Sequence, residues 1–202
     1  MKVLVACEYS GVVRDAFTAK GHDAWSCDIL PTESPGQHIQ GDVLAILGDG
    51  WDLMIGCPPC TYLSYVATRS WNDKGRVYKR LDALKFFTDL WEAPIEKICL
   101  ENPKGCASPT IAKYSQIIQP WYWGDPYYKT TCLWLKNLPK LIHYPENSFW
   151  GKKTHVVAEP IYISKSGKRV HWEGVVRGGS NRAHVRSRFW GGISRAMADQ
   201  WG

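Results

Sequence analysis

The sequence predicts an α/β fold, a doubly wound and mostly parallel sheet with a small basic appendage. Short apolar runs alternate with helix-patterned stretches over about the first 135 residues, which is how βαβ units read in a sequence. Three of those runs, Lys2–Ala6, 53–55 and 98–100, are followed directly by polar or reactive residues. In open α/β sheets the carboxyl ends of the strands are where ligands bind and chemistry is done.

Lys2–Ala6 is apolar after its lysine and reads as the first strand, 12–20 as the helix that follows, and 24–27 as a second strand ending at Asp28. Residues 53–55 and 98–100 are further buried strands. Between them, 78–91 carries Leu81, Leu84, Phe86, Phe87 and Leu90 at near-helical spacing. Ser108-Pro109-Thr110 reads as the opening of a helix over 111–118, with serine as the cap and proline in the first turn. Residues 130–135 read as a strand, and 161–163 pairs with 170–172 as a hairpin across Ser166-Gly167. The chain closes in a helix over 193–201, with Ile193, Met197 and Trp201 on one face. These elements divide the chain into a core at 1–143, a small basic segment at 144–188 and a closing helix at 189–202 that packs back on the core.

A chain of 202 residues can bury one substantial core. With 25 Lys and Arg against 19 Asp and Glu, the net charge of +6 favours a polyanionic partner. The 11 Trp and 10 Tyr can fill a core or stack on bases. No stretch approaches the roughly 20 apolar residues of a membrane span, and the opening residues lack the apolar region of a signal peptide. The expected compartment is the cytoplasm, that of the host if the chain is viral. Seven cysteines without a disulfide-like framework agree with a reducing compartment. No metal site and no protein partner are implied.

The most informative stretch is Gly56-Cys57-Pro58-Pro59-Cys60-Thr61. An apolar strand runs into a glycine and two prolines, which end the sheet and stiffen a loop that presents one cysteine. That placement suits a nucleophile. The alternative is a buried structural cysteine. Cys57 and Cys60 also scan as C-x-x-C, a redox pair or half a metal site. A redox motif should open a helix, however, and a zinc site needs a second ligand pair that the chain lacks. Glu101 follows the apolar 98–100 directly, so it is expected to be partly buried and available as a proton donor. Its alternative is a cap or ion-pair partner.

Pro58-Pro59-Cys60-Thr61 with Ser64, together with Glu101-Asn102-Pro103, resembles the DNA cytosine-5 methyltransferase family. That family's catalytic loop reads G-x-P-P-C-[QT]-x-x-S and its next acidic strand end reads E-N-[VP]. The resemblance spans about residues 2–135, with an echo in the closing helix, and the small size is similar to orphan members carried by bacterial viruses. It implies a Rossmann-like methyltransferase fold, S-adenosyl-L-methionine as donor, double-stranded DNA as partner, and methyl transfer to carbon 5 of cytosine through a covalent Cys60 adduct. Carbon 5 needs such activation: a thiolate adds to carbon 6 while an acid engages ring N3. Cys60 is the implied thiol, Glu101 the acid, and Lys129 a further catalytic residue.

For the donor, the resemblance implies Glu8, Tyr9, Ser10 and Gly11 in the first strand-to-helix turn, where amides can face a carboxylate. It adds Asp28 and Ile29 after the second strand, Asp42 and Val43 in Gly41-Asp42-Val43, and Pro58 beside the nucleophile. The chain departs from the family in two places. The family's F-x-G-x-G turn stands here as Cys7-Glu8-Tyr9-Ser10-Gly11, which keeps only the second glycine. Its Q-x-R-x-R segment aligns best with Trp123-Gly124-Asp125-Pro126-Tyr127-Tyr128-Lys129-Thr130-Thr131, where lysine at 129 stands at the first arginine and threonine at 131 at the second. Lysine keeps the charge and loses the planar fork.

Residues 144–188 hold nine cations interleaved with Phe149, Trp150, Tyr162 and Trp172. This segment is expected to track a phosphate backbone, with Lys152, Lys153, Lys168, Arg169, Arg177, Arg182 and Arg186 as DNA contacts and Ser64 joining them from the catalytic loop. A solvated basic hairpin is the alternative. So small an element implies a short or degenerate target of roughly two to four base pairs. Two other readings stay open: a binding protein of the same fold with little catalysis, and the same chemistry on RNA or a free nucleotide.

Overall fold

A computed structural model describes residues 1–65, 71–145, 149, 151–157, 162–167, 169–170 and 189–202. One sheet is built from β1 (Lys2–Ala6), β2 (Asp23–Asp28), β3 (His38–Gln40), β4 (Leu53–Gly56), β5 (Lys97–Asn102), β6 (Gln116–Ile118) and β7 (Thr131–Lys136). Its order is β3-β2-β1-β4-β5-β7-β6. The first five strands are parallel, and β7 runs antiparallel to both its neighbours. The helices are α1 (Val12–Thr18), α2 (Lys74–Trp91), the single turn α3 (Ala107–Thr110) and α4 (Gly191–Trp201), with 3-10 turns at Val43–Ile46 and Pro120–Trp123.

Alternation along the strands produces two cores. Val3, Val5, Leu53 and Ile55 face Val13 and Phe17 of α1 and Ile193, Met197 and Trp201 of α4. Leu4, Ala6, Met54, Ile98 and Leu100 face Phe87 and Leu90 of α2, with Trp134 closing against Phe87 edge-on at 5.1 Å. The chain therefore leaves β1 toward one face and β4 toward the other. Between these adjacent strands lies the switch point of the sheet, where a crevice opens at their carboxyl ends.

The mixed α/β class, strands β1, β2, β4, β5 and β7 and the closing helix agree with the sequence expectations, whereas β3 has no counterpart among them. The helix expected over 111–118 is not formed. Helix is confined to Ala107–Thr110, with Cys106 rather than Ser108 at the cap, and Gln116–Ile118 is a strand. Its backbone pairs with β7, and the Gln116 side chain donates to the Leu141 carbonyl at 2.8 Å and accepts from the Leu141 amide at 2.9 Å. Satisfying an open sheet edge outweighs local propensity here. Helix α2 begins at Lys74, earlier than 78, because its first turns are polar and exposed and carry no apolar period. The hairpin pairs Tyr162 with Val170 and Ile163 with Arg169, and the other expected hairpin residues, 161 and 171–172, lie outside the described residues.

Candidate active site

Two loops meet at the carboxyl edge. After β4, the Cys57 amide still donates to the Ala6 carbonyl at 2.9 Å, continuing the ladder before the prolines end it. Cys60 follows at the exposed tip, and its carbonyl accepts from the Leu63 amide at 3.1 Å and the Ser64 amide at 3.0 Å, which closes a tight turn. In β5, Glu101 is 8% exposed and Asn102 only 1% exposed. The Asn102 side-chain amide donates to the Pro58 carbonyl at 2.8 Å.

A second seam joins the residues beyond. The Cys106 amide donates to the Leu63 carbonyl at 2.9 Å, the Tyr65 amide to the Lys104 carbonyl at 3.3 Å, and Ser64 bridges Gly105. A β-carbon at Gly105 would lie 2.1 Å from the Leu63 oxygen. Only glycine allows this approach. Ser64, expected among the DNA contacts, is buried in this seam.

The two cysteines of Cys57-Pro58-Pro59-Cys60 differ sharply. Cys60 is exposed. The Cys57 thiol is pushed well above its ordinary range, by burial first and then by the carboxylates of Glu101 and Glu8. It stays protonated at neutral pH and opens no helix, so the paired-cysteine reading loses its second reactive thiol.

On the other side of the crevice, Cys7 takes a left-handed turn with φ 60° and Gly11 another with φ 77°. Tyr9 and Ser10 are buried between them. Glu8 is also buried, and its carboxylate accepts from the amides of Val13 at 2.7 Å and Arg14 at 3.3 Å and from the Ser10 hydroxyl at 3.1 Å. Two first-turn amides expected to face a ligand carboxylate are thus taken by the chain itself. Asp28 ends β2 and accepts from the Leu30 amide at 2.9 Å, beside Ile29, which is 75% exposed. Asp42 accepts from the Leu44 amide at 3.0 Å and caps the 3-10 turn. The Val43 side chain enters the core, which leaves only its backbone for a ligand. Burial and the nearby charges of Asp28 and Asp42 push the Cys7 thiol upward.

Lys129 lies just before β7, whose Cys132 pairs with Asn102, so it enters the sheet at the rim that carries Glu101. Its amide donates to the Gln119 side chain at 3.0 Å, and its carbonyl accepts from the buried Thr131 hydroxyl at 3.1 Å.

Lys152 and Lys153 are exposed and line a cavity of about 700 Å³ along α4, together with Tyr144, His155 and Arg195. None of the strand-end residues lines it. Arg169 is exposed in the hairpin. Lys168, Arg177, Arg182 and Arg186 lie outside the described residues.

Arg14 escaped the sequence reading. It is 1% exposed, yet donates to the hydroxyls of Ser26 and Thr32, the carbonyls of Ser34 and Pro35 and the carboxylate of Asp15. It thereby shapes the helix-free crossover from β2 to β3, and no apolar period could have announced it.

No protein-family model matches the chain, and no curated protein does. Among solved structures it is similar to a candidate DNA modification methyltransferase encoded within an E. coli prophage, at 16% identity and a TM-score of 0.41. The match covers 66% of this chain and 45% of the other, so the chain spans less than half of that neighbour's length. A likeness of that size speaks neither for nor against an activity. Among the described residues no helix is long and apolar enough to cross a membrane, and no cluster of metal-ligating side chains occurs.

Proposed function

We propose that this chain transfers a methyl group from S-adenosyl-L-methionine to carbon 5 of cytosine in double-stranded DNA. The observation that carries the reading is the hydrogen bond from Asn102 to Pro58, which ties the loop of the exposed Cys60 to the strand end of Glu101. Nucleophile and acid come from adjacent parallel strands and share one rim.

In this reading the Cys60 thiolate adds to carbon 6 of an extruded cytosine, forming a carbon–sulfur bond, while Glu101 holds ring N3 by a hydrogen bond. Electron density moves to carbon 5, which can then be alkylated. Water then takes the carbon 5 proton, the electrons of that carbon–hydrogen bond re-form the 5,6 double bond, and the carbon–sulfur bond breaks to release Cys60 as thiolate, which restores the aromatic ring. Bound S-adenosyl-L-methionine would supply the electrophilic methyl group.

The residues at β1 and β2 fit one end of that donor. Asp28 offers a carboxylate to ribose hydroxyls, and Ile29 an exposed apolar surface to the adenine ring. The amides of Val13 and Arg14 do not meet its carboxylate, because Glu8 holds them. Calorimetry with S-adenosylhomocysteine should show binding that Asp28→Ala weakens, and no heat or thermal shift at millimolar ligand would remove the donor from the scheme.

The chemistry is tested by trapping. Duplex DNA carrying 5-fluorocytosine has no carbon 5 proton to lose, so a denaturant-stable complex with the protein should accumulate when the donor is present. Cys60→Ala should form none. A wild-type protein that binds the donor yet traps no DNA would overturn the assignment.

A further inference from the structure

Helix α2 opens with cations where helices favour acids. Lys74, Arg76, Lys79 and Arg80 fall in its first seven residues, which contain no Asp or Glu. The helix dipole disfavours positive charge in the first turn, where Lys74 and Arg76 stand. A local rule broken repeatedly at one place marks a functional constraint.

Two of these side chains, Arg76 and Lys79, reach the turn that follows Cys60. Arg76 donates to the Thr61 carbonyl at 2.5 Å and lies over the Tyr62 ring at 5.1 Å. Lys79 lies over the same ring at 5.6 Å, and Lys74 and Lys79 are exposed. Arg80 is committed elsewhere, stacked on Trp71 at 3.5 Å and donating to its carbonyl. Tyr65, which packs on Trp71 at 5.4 Å, and Tyr78 on α2 are further exposed rings.

We propose that the first turns of α2, with Arg76 and Lys79 over Tyr62 and Lys74 exposed at the helix start, bind the DNA phosphates that flank the cytosine presented to Cys60. The inference rests on the proposed function and gives the DNA a second basic surface, separate in the chain from residues 144–188. Charge complementarity selects the occupant. An extruded base leaves its own phosphates beside the catalytic loop, and cations interleaved with aromatic rings are the chemistry that holds such a backbone.

The test compares wild type with Lys74→Gln/Lys79→Gln and, as a reference, Lys152→Gln/Lys153→Gln. Affinity for an unmodified duplex is measured by fluorescence anisotropy across a salt series, with thermal melts to verify folding. The α2 pair should weaken binding about ten-fold or more, equally across sequences, and make the slope of log affinity against log salt shallower by about 1–2. Arg76→Gln should weaken binding as well, and Arg76→Lys should recover part of it. Unchanged affinity and slope in a folded α2 pair would overturn the inference while leaving the proposed function intact, since trapping of 5-fluorocytosine DNA reports on that separately. A wild type that binds no duplex at all would overturn both.

Discussion

The side-chain amide of Asn102 donates to the backbone carbonyl of Pro58, two residues before Cys60, at 2.8 Å and out of contact with solvent. A strand end thereby fixes the loop of its neighbour, and Glu101, one residue earlier in β5, is held in the same frame. Neither Pro58 itself nor Pro59 after it carries an amide proton, and the Cys57 amide is already given to the Ala6 carbonyl, so the loop has little local backbone with which to replace this bond.

Asn102→Ala leaves the Pro58 carbonyl buried and unpaired. The expected destabilisation is about 1–3 kcal/mol, read by urea denaturation. If the bond positions the loop, the rate of the trapping reaction should fall much further than donor affinity does. Equal loss of both would reduce Asn102 to a purely structural part.

Gly105→Ala places a β-carbon 2.1 Å from the Leu63 oxygen. The seam must open or the backbone must shift, at a cost of about 1–3 kcal/mol for such overpacking. Denaturation midpoints should drop while far-ultraviolet dichroism stays native. A variant as stable as wild type would show that the two segments are not held against each other in solution.

The strands, the closing helix and the two loops at the rim were legible because each rests on a local signal: apolar runs ended by Gly56-Cys57-Pro58-Pro59, or a carboxylate directly after a strand. What stayed illegible depends on distant partners. Nothing local in Gln116–Ile118 says that β7 needs an edge partner, and nothing around Arg14 says that its guanidinium will bond the loop at Thr32 to Pro35. A turn that precedes a helix suggests that Glu8 faces a ligand, yet its own carboxylate reaches the amides first. The basic face of α2 was hidden for a plainer reason, since apolar periodicity starts only after it.

Thiol reactivity separates the cysteines. Cys60 is exposed, whereas burial pushes Cys27 and Cys132 up to about 11 and holds Cys57 and Cys99 well above their ordinary range. Because the thiolate is the reacting form, brief iodoacetamide treatment of the native protein near pH 8 should label Cys60 first. Peptide mapping by mass spectrometry checks the order. Labelling of Cys57 at the same rate would restore the paired-cysteine reading.

Glu8 sets a pH dependence of stability. Burial raises its carboxyl above the usual value of 4.5, outweighing the lowering effect of the Val13 and Arg14 amides, the Ser10 hydroxyl and the Arg14 charge. The folded chain therefore holds this proton more tightly than the unfolded chain. Stability from the group is complete below the unfolded value and is lost as pH rises through the folded one. Glu8→Gln keeps the shape of the side chain and removes the titration. The stability of wild type relative to the variant should decline as pH rises above about 4.5 and level off once the folded carboxyl is ionised, measured by urea unfolding at several pH values. A difference that stays flat across that range would mean the folded and unfolded chains bind the Glu8 proton equally. A difference that grows with pH would mean the two amides stabilise the ionised form more than burial penalises it.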